Sequence, residues 1–278
     1  MKTLKLLLFL FTIILTSCNK KAKQNTAVET TNDVEVILDG QEITYNTDTT
    51  EMKGYIVYDK NTSKKRPGVI VVHEWWGHND YTRERADMLA ELGYTAIAID
   101  MYGDGKQAAH PGDAGKFSGM VMKNIDEAKA RFDSALQLLK KHPSVDETKI
   151  AAIGYCFGGS VVLTMANLGE DLDAVAAFHS GVHLPVMPND KLKAKVLVAN
   201  GAEDPFVSPE SVVTFKREMD SVKADYQYIT YENAKHAYTS KGATALGEKF
   251  NLPLEYNAEA DAKSWQALQN LLTVTFNN

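Results

Sequence analysis

Cys156 is the side chain in this sequence best placed to do chemistry, because it lies in the glycine-rich segment Gly154-Tyr155-Cys156-Phe157-Gly158-Gly159. The strand-like residues 149–153 precede this segment and the helix-like residues 160–166 follow it. A strand, a tight turn and a helix with a nucleophile at the apex form a nucleophile elbow, written here with Cys in place of Ser. Small neighbours permit the strained turn, and a helix N-terminus favours a thiolate and a developing oxyanion. The alternative is a buried structural Cys beside a glycine turn.

An acid and a histidine follow Cys156 in the chain order that such a triad requires. Asp204 and His236 each come shortly after a strand-like segment, so both are expected at carboxyl ends of strands, where sheets of this kind bind ligands. Asp204 is the candidate orienting acid, with Glu203 as its nearest rival, and His236 is the candidate general base. The alternatives are a surface Asp-Pro turn and a solvated loop histidine. Other histidines fail the chain order or the strand-end position: His73, His110, His142, His179 and His183.

A sheet must bring these residues together, and strand-like and helix-like segments alternate from about residue 34 onward. Near-continuous apolar runs are typical of buried parallel strands. The alternation predicts an α/β fold, with a mostly parallel sheet and helices on both faces. The predicted strands are residues 34–38, 52–58, 68–73, 94–100, 149–153, 174–179, 195–199 and 226–231. The predicted helices are residues 80–92, 121–141, 160–166, 209–222 and 258–275, and residues 103–119 are predicted to form a long loop.

Composition narrows the function classes. The chain has 278 residues, 44% of them apolar and 24% charged, with a formal net charge of −6, which is ordinary for a globular protein. No basic patch indicates a nucleic-acid partner. His73 and His78 are spaced i and i+5, whereas the helical zinc motif needs i and i+4. We therefore predict neither a metal nor a cofactor.

The N-terminus resembles a bacterial lipoprotein signal. Lys2 and Lys5 precede an apolar run, residues 6–15, that has the length of a signal-peptide core and is too short to span a bilayer. The run ends in Leu15-Thr16-Ser17-Cys18. We expect residues 1–17 to be removed, with an ordinary secretory signal as the alternative.

This interpretation places the protein in the cell envelope, in the periplasm or at the outer membrane. Cys18 is then the lipidated residue, residues 18–33 form a polar, flexible tether, and residues 34–278 form one domain. Cys156 is the only other cysteine, so lipidation of Cys18 leaves it without a disulfide partner. A lone thiol is prone to oxidation in an oxidising compartment unless it is buried or used, so its presence favours a catalytic role for Cys156.

These motifs together resemble the dienelactone hydrolase family of α/β-hydrolases, over roughly residues 50–278. The elbow that carries Cys156 is the most specific part of the likeness. The other matching segments are Val72-His73-Glu74-Trp75-Trp76-Gly77, Asp100-Met101-Tyr102-Gly103, Gly201-Ala202-Glu203-Asp204-Pro205, His236-Ala237-Tyr238, Tyr256-Asn257-Ala258-Glu259-Ala260 and Ser264-Trp265-Gln266.

The resemblance implies a role for each matching residue. It implies that Cys156 is the nucleophile, that Asp204 orients His236 and that His236 moves protons. Glu74 matches a family glutamate that holds the resting thiol and swings away when substrate binds.

The oxyanion hole of this fold needs one backbone N–H after the nucleophile and one from the first strand-to-helix loop. The resemblance assigns these two donors to Phe157 and Trp75. Trp76, Tyr102 and Tyr238 are expected in the substrate pocket, with core packing as the alternative for the aromatic residues.

The expected activity is hydrolysis of carboxylic esters, lactones or thioesters of small molecules through an acyl-cysteine intermediate. A non-catalytic ligand-binding protein and an acyltransferase are the alternatives. Well-known family members bind a substrate carboxylate with two arginines, whose positions are Asp104 and Ser240 here. Because Asp repels a carboxylate, dienelactone itself is not the expected substrate.

Overall fold

A computed structural model describes residues 35–277 of the chain. The predicted signal peptide at residues 1–17, the lipidation site Cys18 and the tether at residues 18–33 lie outside the described residues. Among residues 35–277, no helix combines the length and the apolar character needed to cross a bilayer.

Eight strands of the described residues form one mixed sheet. The strands are β1 (Leu38–Asn46), β2 (Glu51–Asp59), β3 (Arg66–Val72), β4 (Thr95–Ile99), β5 (Val145–Tyr155), β6 (Ala174–Phe178), β7 (Lys195–Gly201) and β8 (Tyr226–Tyr231). Their order in the sheet is β1-β2-β4-β3-β5-β6-β7-β8. The first two strands pair antiparallel, β2 pairs antiparallel with β4, and all other neighbours are parallel. The predicted α/β class is therefore confirmed.

Seven helices accompany these strands in the described part of the chain. They are α1 (Asp80–Glu91), α2 (Pro111–Lys123), α3 (Ile125–Lys141), α4 (Phe157–Leu168), α5 (Pro209–Ser221), α6 (Ala243–Phe250) and α7 (Ala258–Phe276).

The core lies in two layers, one on each face of the sheet, because alternate strand residues point to opposite faces. Val69 and Val71 of β3 pack in the layer that α1 and α7 cover. Ile70 and Val72 of the same strand pack in the layer that α3, α4 and α5 cover. Burial on both faces explains why β3 reads as a continuous apolar run.

The prediction of a loop over residues 103–119 was wrong in its second half, where α2 begins at Pro111. Proline suits the first turn of a helix, and the His110 side chain caps the helix by accepting a hydrogen bond from the Gly112 N–H. The glycines of this segment lower its helix propensity, so the sequence pattern does not indicate the helix.

Further elements also differ from the prediction. The predicted helix over residues 121–141 is two helices separated at Asn124, whose side chain caps α3 by accepting from the Glu127 N–H. The first strand is Leu38–Asn46 rather than residues 34–38. It is an edge strand with mostly exposed side chains, so it lacks the apolar run that marks the inner strands. Helix α6 has no counterpart in the prediction.

Candidate active site

The thiol of Cys156 is positioned by the turn between β5 and α4. Cys156 has φ 54° and ψ −115°, a backbone conformation that is costly for a residue with a Cβ and typical of functional sites. A Cβ on Gly154 would lie 2.1 Å from the Gly158 carbonyl oxygen, and a Cβ on Gly158 would lie 2.3 Å from the Val72 carbonyl oxygen. Both positions therefore require glycine, because the start of α4 lies against the end of β5 at Gly154 and against the end of β3 at Val72.

His236 and Asp204 meet at the carboxyl edge of the sheet, as their positions after β8 and β7 predict. The distance from His236 Nδ1 to Asp204 Oδ2 is 2.7 Å. The Asp204 side chain is inaccessible to solvent, and its other oxygen, Oδ1, accepts a hydrogen bond from the Phe206 N–H at 2.9 Å. Because a carboxylate only accepts, Nδ1 of His236 is the donor. The Asp204 carboxylate thus fixes the orientation of the imidazole ring.

The pKa of His236 depends on its burial and on two neighbouring groups. Burial alone would lower the pKa of His236 and is the largest influence on it. The Cys156 sulfur and the Asp204 carboxylate act in the opposite direction through charge and hydrogen bonding, and together they raise this pKa to about 10. The arrangement therefore favours an imidazolium beside the sulfur at neutral pH.

Cys156 and His236 open into one cavity of about 360 Å³. Its surface is mainly apolar, and neither Arg nor Lys lines it in the described part of the chain. The Phe206 ring lies edge-on to the His236 ring with centroids 4.9 Å apart. The lining residues are Trp75, Gly115, Ser118, Gly119, Met122, Cys156, Phe157, Ser160, Gly181, Phe206, His236 and Leu254.

Helix α2 forms one wall of this cavity through Gly115, Ser118, Gly119 and Met122. Sequence reasoning missed these residues because it assigned part of the segment to a loop. The available signal was the i, i+4 spacing of Gly115 and Gly119, which places both on one helix face. A Cβ on either glycine would meet no atom within 4 Å, so neither glycine is required by close packing.

Glu74 is buried, and it lines a cavity other than the one that Cys156 lines. Burial raises the pKa of Glu74 to about 7, although the charges of His236 and Arg85 lower it. Its neighbours in a second cavity include Trp76 and Ser240. Within residues 35–277, no hydrogen bond joins Glu74 to Cys156, and the sulfur interacts instead with His236. The family role of Glu74 as the holder of the resting thiol thus has no counterpart in this conformation.

None of the three aromatic residues expected in the substrate pocket lines the Cys156 cavity. Trp76 lines the second cavity and stacks on Phe250. The Tyr102 ring is buried, and its hydroxyl donates to the Trp75 carbonyl oxygen at 2.9 Å. Tyr238 is fully buried and donates to the Ala199 carbonyl oxygen at 2.9 Å, so its hydroxyl supports a strand rather than facing the cavity.

Neither position that carries an arginine in well-known family members lines the Cys156 cavity. Asp104 borders a separate cavity of about 430 Å³ and forms an ion pair with Lys106 at 2.7 Å. Ser240 lies in the cavity that Glu74 lines. Within the described residues, the missing positive charges are therefore not replaced in the cavity that contains Cys156.

The model of the dienelactone hydrolase family matches residues 52–276. The chain belongs to the dienelactone hydrolase family. It is a hydrolase of this family.

Similar proteins support the same assignment over most of the domain. Protein usf of Aquifex pyrophilus is 28% identical over 207 residues, which are 73% of this chain and 88% of that protein. The solved structure of m3DLH is 36% identical, with a TM-score of 0.82 over 86% of this chain and 99% of that one. A dienelactone hydrolase-like promiscuous phosphotriesterase, P91, from metagenomic libraries is 33% identical, with a TM-score of 0.79 over 86% of this chain and 98% of that one.

Proposed function

We propose that this hydrolase cleaves neutral carboxylic esters, lactones or thioesters through an acyl-cysteine intermediate on Cys156. The observation that carries the proposal is the shared cavity of Cys156 and His236, in which the imidazole is held by Asp204 at 2.7 Å. A nucleophile next to a base that a third group orients is the arrangement that activates side chains for covalent catalysis.

Acylation begins with attack of the Cys156 thiolate on the substrate carbonyl carbon. The carbonyl π electrons move to oxygen, and the N–H groups of Trp75 and Phe157 stabilise the resulting oxyanion. The first amides of a helix lack intrahelical acceptors, which supports Phe157 as a donor. The oxyanion then collapses, the bond to the leaving oxygen or sulfur breaks, and the His236 imidazolium gives its proton to the leaving group.

Deacylation reverses these roles with water as the nucleophile. Neutral His236 takes a proton from water as its oxygen attacks the thioester carbonyl. Collapse of the second tetrahedral intermediate breaks the carbon–sulfur bond and releases the carboxylic acid. The thiolate and the imidazolium are thereby restored. Asp204 keeps the ring oriented and stabilises its positive charge throughout.

The cavity surface supports a substrate with an uncharged acyl group. Its lining is mainly apolar and lacks Arg and Lys in the described residues, so a substrate carboxylate would lose water without gaining a cationic partner. Apolar acyl chains, in contrast, gain free energy in proportion to the apolar area that they bury.

Intact-mass spectrometry with a panel of acyl esters, lactones and thioesters tests the proposal. We expect turnover with a transient mass increase equal to the acyl group, localised to Cys156 by peptide mapping. Cys156→Ala should keep the fold and lose both the adduct and the turnover. Because Cys18 is the only other cysteine, Cys18→Ala is the matched control and should keep both.

Turnover by Cys156→Ala at the wild-type rate would exclude the covalent mechanism. Addition of an alcohol or amine to the assay separates hydrolysis from acyl transfer. An acid as the product supports hydrolysis, whereas a new ester or amide as the main product would make the protein an acyltransferase.

A further inference from the structure

The loop between β3 and α1 is held by hydrogen bonds to three successive carbonyl oxygens. The Glu74 oxygen accepts from the Gly77 N–H at 3.2 Å and lies 2.5 Å from His73 Nδ1. The Trp75 oxygen accepts from the Tyr102 hydroxyl at 2.9 Å. The Trp76 oxygen accepts from the Ala108 N–H at 2.9 Å. Three successive peptide planes of this loop, from Glu74 to Gly77, are therefore each fixed by a specific donor.

The hydrogen-bond partners of His73 determine its tautomer. The Met101 N–H donates to Nε2 of His73 at 3.2 Å, so Nε2 has no proton. Nδ1 then carries the proton and donates to the Glu74 carbonyl oxygen. Burial lowers the pKa of His73, which keeps the ring in this neutral form. His73 is thus a built-in donor, and it has no place in the triad.

The peptide between Glu74 and Trp75 connects His73 to the expected oxyanion hole, because this peptide contains the Trp75 N–H. In a trans peptide the C=O and the N–H point in opposite directions, and the described residues contain no cis peptide bond. With the Glu74 oxygen held by His73, the Trp75 N–H faces the other way. Trp75 lines the cavity of Cys156.

His73 also contacts the other expected donor of the oxyanion hole. Its ring stacks on the Phe157 ring with centroids 5.6 Å apart, and the Tyr102 ring lies edge-on to it at 4.7 Å. A Cβ on Gly158 would lie 2.6 Å from the His73 carbonyl oxygen, which shows how closely α4 approaches this residue. One imidazole therefore lies against both segments that supply backbone N–H groups.

We propose that His73 and Tyr102 are positioning residues that fix the Trp75 N–H for stabilisation of the oxyanion. His73 holds the peptide that contains this N–H through the Glu74 carbonyl, and Tyr102 holds the following peptide through the Trp75 carbonyl, so the backbone is restrained on both sides of Trp75. This inference rests on the proposed function, because it assigns parts of the same acyl-transfer site. An oxyanion hole contributes only when its donors are held in place before the reaction.

Three variants of the full chain test this assignment. His73→Leu removes the donor, His73→Asn retains an N–H near the position of Nδ1, and Tyr102→Phe removes only the hydroxyl. Loss of a complete oxyanion donor costs about 10²–10³-fold in kcat, so a misplaced donor should cost less. We expect kcat to fall about 10- to 100-fold in His73→Leu and Tyr102→Phe, with little change in KM and partial recovery in His73→Asn.

The rate at which iodoacetamide alkylates Cys156 separates a positioning role from a general structural defect. A general defect at the site would change this rate, whereas a misplaced oxyanion donor would not. This displacement needs the thiolate but creates no oxyanion, so its rate should stay at the wild-type value in all three variants. Far-ultraviolet circular dichroism and thermal unfolding report the fold. If His73→Leu does not fold, Tyr102→Phe carries the test, since it removes one oxygen atom.

The outcomes separate the two proposals. Wild-type kcat in Tyr102→Phe and His73→Leu, with the acyl adduct on Cys156 intact, would overturn the positioning role alone. A parallel fall of kcat and alkylation rate would also overturn it, because the defect would then lie in the nucleophile. Absence of any acyl adduct in the wild-type protein overturns the proposed function and this inference with it.

Discussion

Glu74→Gln should make the protein more stable at neutral and alkaline pH. Burial raises the pKa of Glu74 from an ordinary 4.5 to about 7, so the folded state binds this proton more tightly than the unfolded state. The free energy of unfolding therefore falls as the pH rises from about 4.5 to about 7 and stays low above it. A tenfold change in a proton-binding constant corresponds to about 1.4 kcal/mol, which gives a total cost of about 3 kcal/mol for ionised Glu74.

Glutamine has nearly the same shape as glutamate but carries no charge at any pH. The variant therefore lacks the cost of burying an ionised side chain at position 74. Urea unfolding of both proteins at pH values from 5 to 8.5 measures the difference directly, and titrations common to both cancel. We expect the stability advantage of Glu74→Gln to grow by about 2.5 kcal/mol across this interval, because part of the cost is already present at pH 5, and to level off above pH 7.

Glu248→Gln is the matched control, because it makes the same replacement at an exposed position. A Glu74→Gln advantage that stays constant from pH 5 to 8.5 would refute the reasoning. It would mean that the Glu74 carboxyl is hydrated or paired in the folded protein.

Two other predictions concern the site. Because His236 must be charged to protonate a poor leaving group and its pKa is raised to about 10, kcat/KM for alkyl esters should fall only as the pH approaches 10. Asp204→Asn removes an anionic partner, so this alkaline limb should move to lower pH, and an unmoved limb in a pH–rate profile would contradict the assignment. Gly119→Leu places a side chain in the cavity, so kcat/KM should fall at least tenfold for hexanoyl esters but little for acetyl esters; equal losses for both chain lengths would contradict the acyl-pocket assignment.

The sequence predicts those parts of the fold that are determined by continuous apolar burial. Strands β3, β4, β6 and β7 are covered on both faces and were found from their apolar runs. Edge strand β1 buries little surface, and α2 contains three glycines that oppose helix propensity. Both were misplaced, because packing and capping contacts stabilise them more than local preference does.

The candidate site divides in the same way. Chain order and strand ends were enough to select Asp204 and His236, whose side chains the structure brings to 2.7 Å. His73 was set aside because it precedes the elbow. The partner of the His73 ring is the carbonyl oxygen of Glu74, so no second side chain in the sequence marks this contact. The expected pocket position of Tyr238 failed for a similar reason, since its hydroxyl partner is a carbonyl of β7.

The position of the missing charges bears on specificity. Asp104 faces a cavity other than that of Cys156 and is paired with Lys106, so an arginine at position 104 would not by itself place a cation beside a substrate bound at the thiol. In the proposed mechanism the His236 imidazolium contacts both the Cys156 sulfur and the Asp204 carboxylate, so its positive charge already compensates the negative charge beside it. An additional substrate carboxylate would compete for this single cation and weaken the pair that attacks the carbonyl. Under the proposed function, selection for neutral acyl groups therefore follows from the electrostatics of Cys156, His236 and Asp204 as well as from the mainly apolar cavity that α2 borders, and we expect this wall to distinguish acyl groups by their length.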